Sequence, residues 1–469
     1  FHIARKHLAN WVMMRSEIPL ASTIRDLSCS TFSSTGDMRE YIISLIHLVR
    51  KWRQKGVVAR FNRKEFNIDL LDFAKIGQGS LGGKARGLAF MSSMLQEDIR
   101  LFQTYQESTI RIPQTIVLAT DVFEEFVETK DLKRFAADGY ADEEVARAFL
   151  KAKMPGEVVS DLQAYLEQVA YPLSVRSSSL LEDAQFQPYA GLYETYMIPN
   201  NHPDFSRRLE SLVNAIKLVY ASTYYESPKA FAKSAASQAK DESMAVVIQQ
   251  LVGGMHGDHY YPAISGVAQS HNYYPVSHMR PEEGIVQMAI GFGKTVVEGG
   301  TSLRFSPRYP EILPQFSTVD DMIANSQRFF YSLRMRDHDE ISRLDAHFHL
   351  ERRDIYDARN EFPVIACAST YDPAEHRIRD TGEGPGAKII TFSQILKYRS
   401  IPLPEMLSDI LELARRNMGC AVEMEFAVNL RKGKPGSCDF YLLQIRPMVT
   451  DEDRFEVEIT EQDLARSFC

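Results

Sequence analysis

Cysteine is scarce in this chain and stands scattered: Cys29, Cys367, Cys420, Cys438 and Cys469 form no C-x-x-C pair in 469 residues. Such scatter excludes a disulfide framework and the common zinc-site spacings, and it fits a reducing compartment, so a cytoplasmic location is expected. Also missing is any run of about 18 apolar residues, and the first residues do not show the basic-then-apolar order of a secretory leader. Neither a membrane-spanning helix nor a membrane partner is expected. Positive charge is not in excess either: 54 Lys and Arg stand against 62 Asp and Glu, a net charge of −8. With no global field to draw a polyanion, nucleic acid is not an expected partner. The chain begins at Phe1 rather than methionine, so a segment of a longer polypeptide is expected. No internal repeat or low-complexity tract appears.

What is present is the composition of a globular protein, 44% hydrophobic and 25% charged, with length for two to four units at about 100–200 residues each. Residues 1–66 read as a helical lead-in or linker, because Tyr41, Ile42, Leu45, Ile46, Leu48 and Val49 recur at helical spacing ahead of Arg50, Lys51, Arg53 and Lys55. A first lobe is expected over 67–240. It holds an apolar helix through Leu88, Met91 and Leu95, a strand over 112–118, a helix over 122–127 capped by Thr120 or Asp121, and a helix over 157–169. A strand over 171–175 then runs into Arg176, and helical patterns return between 205 and 233. A second lobe is expected over 241–450, opening with a buried strand at 245–252 and continuing with strands at 264–268 and 284–290. A charged, helix-like surface excursion follows over 319–357, then short strands at 364–371 and 388–391, a helix at 404–417, and a tail at 451–469. Strands and helices mix without a strict βαβ rhythm, so the fold class reads as α+β in two lobes rather than one doubly wound sheet.

Three constellations carry chemistry. The first is Gly77-Gln-Gly79-Ser-Leu-Gly82-Gly83-Lys84-Ala-Arg86-Gly87. Its glycines let backbone approach a phosphate, the helix N-terminus adds partial positive charge, and Lys84 can reach a terminal phosphate. It is not a dinucleotide fingerprint, because Ala119 and Thr120 follow Leu118 where an acid belongs, nor a Walker A loop, because Gln78 and Ala85 replace its first glycine and its hydroxyl residue. A plain glycine turn with a solvated lysine is the alternative. In the second, Ser174-Val175-Arg176-Ser177-Ser178-Ser179, Arg176 leaves an apolar strand where its planar fork can be held toward a phosphate; the alternative is an exposed arginine in a serine loop. In the third, alternation through Val422, Met424, Phe426 and Val428 puts Glu423 and Glu425 on one face. After the turn-rich stretch 429–439, a second strand places Gln444 and Arg446 on one face, Leu443 and Ile445 on the other. Antiparallel pairing can bring Glu425, Gln444 and Arg446 together, hard oxygens beside an arginine, which suits a magnesium-phosphate group. The alternative is the solvated face of a hairpin.

Together these segments resemble the ATP-binding domain of the phosphoenolpyruvate synthase and pyruvate phosphate dikinase family, a member of the ATP-grasp class. The likeness runs in order from Gly77 to Pro447: Gly-Gly-Lys84-Ala-x-Gly-Leu, Ile112-Pro113 with Thr120-Asp121, Ser174-Val-Arg176-Ser-Ser with Glu182-Asp183, Gly191 with Glu194-Thr195, Val247-Ile-Gln249, Ser265-Gly266-Val267, Gly291-Phe-Gly293, Glu423-Met-Glu425-Phe-Ala and Gln444-Ile-Arg446-Pro447. The resemblance implies ATP and magnesium held between two lobes. Gly82, Gly83, Lys84 and Arg176 would meet the phosphates, Ile248 and Gln249 would border the adenine, Glu425 and Gln444 would hold magnesium, and Arg446 would contact phosphate. Lys84, Arg176 and Arg446 are thereby the expected catalytic cations.

The same resemblance implies a histidine on a separate swivelling domain, which takes phosphate from ATP through a pyrophosphoryl intermediate, with AMP released, and hands it to pyruvate on a further domain. His347 and His349 lack the threonine and serine context of such an acceptor and read as surface histidines. The histidine domain is therefore expected beyond the chain end or in trans, and pyruvate only through a domain not seen here. Two features depart from the family pattern: Lys294 stands where an acid is expected, and 319–388 is longer and more charged. Two other readings stay open, a non-catalytic nucleotide-sensing module of a regulatory protein and a dikinase with a non-pyruvate acceptor.

Overall fold

The computed structural model describes residues 58–448 except 70–71, 130, 137–138, 180–190, 235–242, 337–347 and 435, together with 5–14, 21–22, 24–25, 27, 32 and 34–43. Two six-stranded sheets frame these residues, giving a mixed α+β fold in two lobes. The first sheet runs, in spatial order, Ala59–Arg60, Phe73–Ile76, Thr115–Leu118, Ala245–Gln250, Leu173–Ser178 and Thr195–Ile198. The second runs Leu303–Phe305, Ile285–Ala289, Ile264–Gln269, Val422–Leu430, Cys438–Pro447 and Thr109–Arg111.

Apolar patterning explains the layers. Ala245–Gln250 is buried through Gln249 and pairs antiparallel with a neighbour on each side, as its unbroken apolar run requires. Helices Thr120–Thr129, Asp142–Lys151, Gly156–Gln168 and Phe205–Ser222 bury Phe126, Phe149, Leu162 and Val219 against Ile116, Val175 and Ile248 of the first sheet. Helix Gly82–Glu97 turns Leu88, Met91 and Leu95 the other way, into a larger core with Leu407 and Ile410 of helix Leu403–Met418 and with Met424 and Phe440 of the second sheet. That last helix repeats its buried residues at helical spacing and stops at Gly419, whose φ of +70° lets its N–H turn back to the Arg415 carbonyl.

Several elements differ from the sequence expectation. The strand expected over 112–118 begins only at Thr115, where Thr115–Leu118 lies between Phe73–Ile76 and Ala245–Gln250, and an unexpected strand before it, Thr109–Arg111, runs parallel to Cys438–Pro447 in the other sheet. Pro113 has no N–H for either ladder, and the chain passes from one sheet to the other there. Ala245–Gln250, which opens the second lobe in the sequence reading, is a strand of the first sheet. Among its described residues, the charged stretch 319–357 holds one short helix, Val319–Asn325, and then strands Phe329–Arg334 and Leu350–Asp354 of a four-stranded sheet. Its charges sit on alternate strand faces: Arg352 covers the Phe329 ring at 3.9 Å, and Arg353 forks onto Glu361 at 2.8 and 3.3 Å. Residues 362–367 are a helix rather than strand, started by Pro363, and Ala368–Asp372 is the strand that follows. In the lead-in, helix His7–Met13 and a helical stretch at 35–43 share a small core with Ala9, Val12 and Ile42; the cations at 50–55 lie outside the described residues.

Candidate active site

The glycine loop is shaped by what presses against it. Strand Phe73–Ile76 ends at Gly77, with φ +92°, and helix Gly82–Glu97 begins at Gly82, with φ +72°. A Cβ on Gly82 would fall 1.7 Å from the Ser178 carbonyl oxygen, and one on Gly79 would fall 2.6 Å from Thr120 Oγ1. These glycines admit the arginine-serine strand on one side and the 120–121 turn on the other. Hydrogen bonds close both seams. Gly83 N–H donates to the Ser179 carbonyl at 2.9 Å, Ala85 N–H to Ser178 Oγ at 3.1 Å, and Ser178 Oγ to the Leu81 carbonyl at 2.8 Å. Across the loop, Ser80 N–H donates to Thr120 Oγ1 at 3.0 Å and Gln78 N–H to Asp121 Oδ2 at 2.7 Å. Thr120 and Asp121, expected to cap their own helix, thus tie down the glycine loop. Lys84 Nζ reaches Ser177 Oγ at 3.2 Å and lies along the arginine strand.

Arg176 is where the two sheets meet. In Leu173–Ser178 it is the one residue that is only partly buried, and its Nη2 donates to Gln444 Oε1 at 2.9 Å and stands 3.7 Å from Glu425 Oε2. Glu425 and Gln444 are a cross-strand pair of the hairpin Val422–Leu430 and Cys438–Pro447. The sequence residues Arg176, Glu425 and Gln444 are therefore brought together. Arg446 sits two pairs along, opposite Glu423, and its Nε donates to Glu423 Oε1 at 2.6 Å. Gln269 Nε2 donates to the other carboxylate oxygen, Glu423 Oε2, at 2.6 Å. The two carboxylates share a face but answer to different cations, Glu425 to the first sheet and Glu423 to its own hairpin.

The register shifts between Glu425 and Phe426, so Phe426 faces Leu442 and Leu443 is the extra residue. Leu443 therefore does not join Ile445 in the core, as strict alternation would have it. It packs with Val252, Ala427 and Tyr441 in a small apolar cluster one step along the hairpin from Glu425 and Gln444. Arg111 borders this cluster, with Nη2 donating to Tyr441 Oη at 2.6 Å. Ile248 and Gln249 lie deeper: Ile248 belongs to the core of the first lobe, and Gln249 donates to Thr115 Oγ1 at 3.2 Å. Lys294 stands 3.3 Å from Glu298 Oε1 and 5.2 Å from the centre of the Tyr331 ring. Sequence reasoning passed over Gln269, which lies just beyond the strand expected at 264–268, and left Glu423 without a role.

Residues 78–467 match the family described as pyruvate phosphate dikinase, AMP/ATP-binding domain. The chain belongs to that family. The matched span takes in the glycine loop from Gln78 on, the arginine strand and the whole hairpin, so ATP is the ligand class of this family's site. A further stretch of likeness is to an uncharacterized phosphotransferase, YvkC, of Bacillus subtilis strain 168, which is 25% identical over 194 residues, 41% of the chain. The chain spans about a fifth (20%) of that relative's length. No helix among the described residues is long and apolar enough to cross a membrane.

Proposed function

We propose that the chain is the nucleotide domain of a phosphoenolpyruvate synthase-like dikinase: it holds ATP and magnesium between its two sheets while a histidine of a separate domain takes up phosphate, AMP leaves, and pyruvate is the final acceptor. Membership of the dikinase family implies ATP-using phosphoryl transfer. The observation that carries the finer reading is the meeting of Arg176, from the first sheet, with Glu425 and Gln444 of the second.

The donor set fits magnesium. A carboxylate and an amide oxygen already converge on a cationic group, the Arg176 guanidinium. Among the described residues no cluster of three or more His, Cys, Asp or Glu side chains competes as a metal site, and magnesium takes few protein oxygens beside phosphate and water. Glu425 and Gln444 would hold it, and bound magnesium would supply neutralisation of the phosphate oxygens. Arg176, beside Glu425 and Gln444, would offer its fork to the phosphates. Lys84 approaches along Ser177 as a point charge, and Arg446 extends the positive edge past Glu423. Ile248 and Gln249 support the base from behind, and Val252, Ala427, Tyr441 and Leu443 offer it an apolar seat. The protein's work is to position and compensate charge as the histidine attacks the β-phosphorus and the bond to the AMP oxygen breaks.

The test is to supply a histidine domain in trans with pyruvate and to follow ATP. AMP should accumulate with phosphorylated histidine; formation of ADP alone would sink the dikinase reading.

A further inference from the structure

Arg446 is the expected phosphate contact that no bond links to the first sheet among the described residues, and its orientation rests on one carboxylate. Glu423 binds it through Oε1 and is itself bound through Oε2 by Gln269. Gln269, Glu423 and Arg446 stand on three adjacent strands in one cross-strand row, since Gln269 pairs with Glu423 and Glu423 with Arg446. The backbone beneath Gln269 is fixed on both sides, by Glu423 and by Ile285, and its carbonyl lies where a Cβ on Gly284, with φ +74°, would come within 2.5 Å. The Glu423 side chain is 13% exposed against 36% for Arg446, so the carboxylate is the sheltered end of the row and the guanidinium the open end.

We propose that Gln269 is a positioning residue for the nucleotide site: by holding Glu423 Oε2 it keeps Oε1 turned to Arg446 and the guanidinium aimed at the phosphates. The inference rests on the functional reading above. Without the amide donor, Glu423 can rotate about its terminal bond, and an oxygen left unsatisfied in a sheltered site pulls on Arg446 or takes up water. Gln269 touches no reacting atom and acts only through Glu423.

Two variants of the 469-residue chain test this, with binding of a non-hydrolysable ATP analogue plus magnesium read by calorimetry and folding by melting temperature. Gln269→Leu should weaken binding about tenfold at every pH from 5.5 to 8, the scale of one hydrogen bond to a charged group. Gln269→Glu sets two carboxyls face to face, so one proton is shared between them at low pH. It should weaken binding at pH 8 and recover toward the unmodified chain at pH 5.5, where the protonated carboxyl again donates to Glu423. A purely packing role would show no such recovery. Binding by both variants within twofold of the unmodified chain at pH 8 would overturn the lock while leaving the functional reading intact, as would a Gln269→Glu variant whose weakened binding stays flat with pH. An unmodified chain that binds no nucleotide removes the reading, and the lock with it.

Discussion

Arg176 joins the lobes through a single planar group, donating to Gln444 and facing Glu425. A guanidinium serves two oxygens at fixed angles, which an ammonium cannot do. Arg176→Ala is expected to lower affinity for ATP with magnesium by roughly ten- to a hundredfold, and Arg176→Lys to recover only a small part of it; titration calorimetry of both variants checks this, and full recovery with lysine would show that charge alone suffices. The pairing of Glu425 with Gln444 was legible in the sequence, because period-two alternation on both sides of a glycine-rich turn leaves few registers. The partner of Arg446 was not: two glutamates two residues apart look alike in one dimension, and Gln269 lies about 150 residues from either. The glycine loop was legible as a place needing glycine, but the reason lies elsewhere in the chain, in Ser178 and Thr120, whose approach no local pattern records.

The hairpin that carries the site is fastened at its far end. Arg431 donates to Asp439 at 2.6 Å and to Thr109 Oγ1 at 2.6 Å, and its Nη1 donates to the Glu107 carbonyl at 3.0 Å, tying the turn to the edge strand Thr109–Arg111. Burial pushes the Asp439 carboxyl up, but the hydrogen bonds from Arg431 and Thr109 prevail and hold it below the usual carboxylate range. A carboxyl with a lower pKa folded than unfolded adds stability that is complete above its unfolded value, about 3.9, and is lost as pH falls through the folded value. Asp439→Asn should therefore cost about 1 kcal/mol at pH 7, discounted for partial exposure, with the gap from the unmodified chain closing below about pH 4. Denaturant midpoints between pH 7 and 3 measure it; a gap that is constant with pH would assign the loss to packing. Long amphipathic elements such as Gly156–Gln168 and Leu403–Met418 were readable from periodicity, whereas the short strand Thr109–Arg111 was not, because three residues carry no period and only pairing with the far end of the chain makes them a strand.

At the scale of the molecule, the lobes are not consecutive pieces of chain. The first sheet takes its strand Ala245–Gln250 from beyond the expected boundary, and the second takes Thr109–Arg111 from before it. A fragment ending at residue 240 should show weak amide protection in Thr115–Leu118 and Leu173–Ser178, and one extended to residue 253 should restore it; hydrogen exchange distinguishes the two, and equal protection would show that the strand at 245–250 is dispensable. The same placement matters on the ribosome. The nascent chain completes Thr115–Leu118 and Leu173–Ser178 with an open slot between them, and the strand that fills it emerges on the order of ten seconds after the second of them at ordinary elongation rates. For that interval two apolar strands present bare inner edges, so translation speed and chaperone capture between residues 178 and 250 should govern the yield of soluble protein more than the stability of the finished fold does.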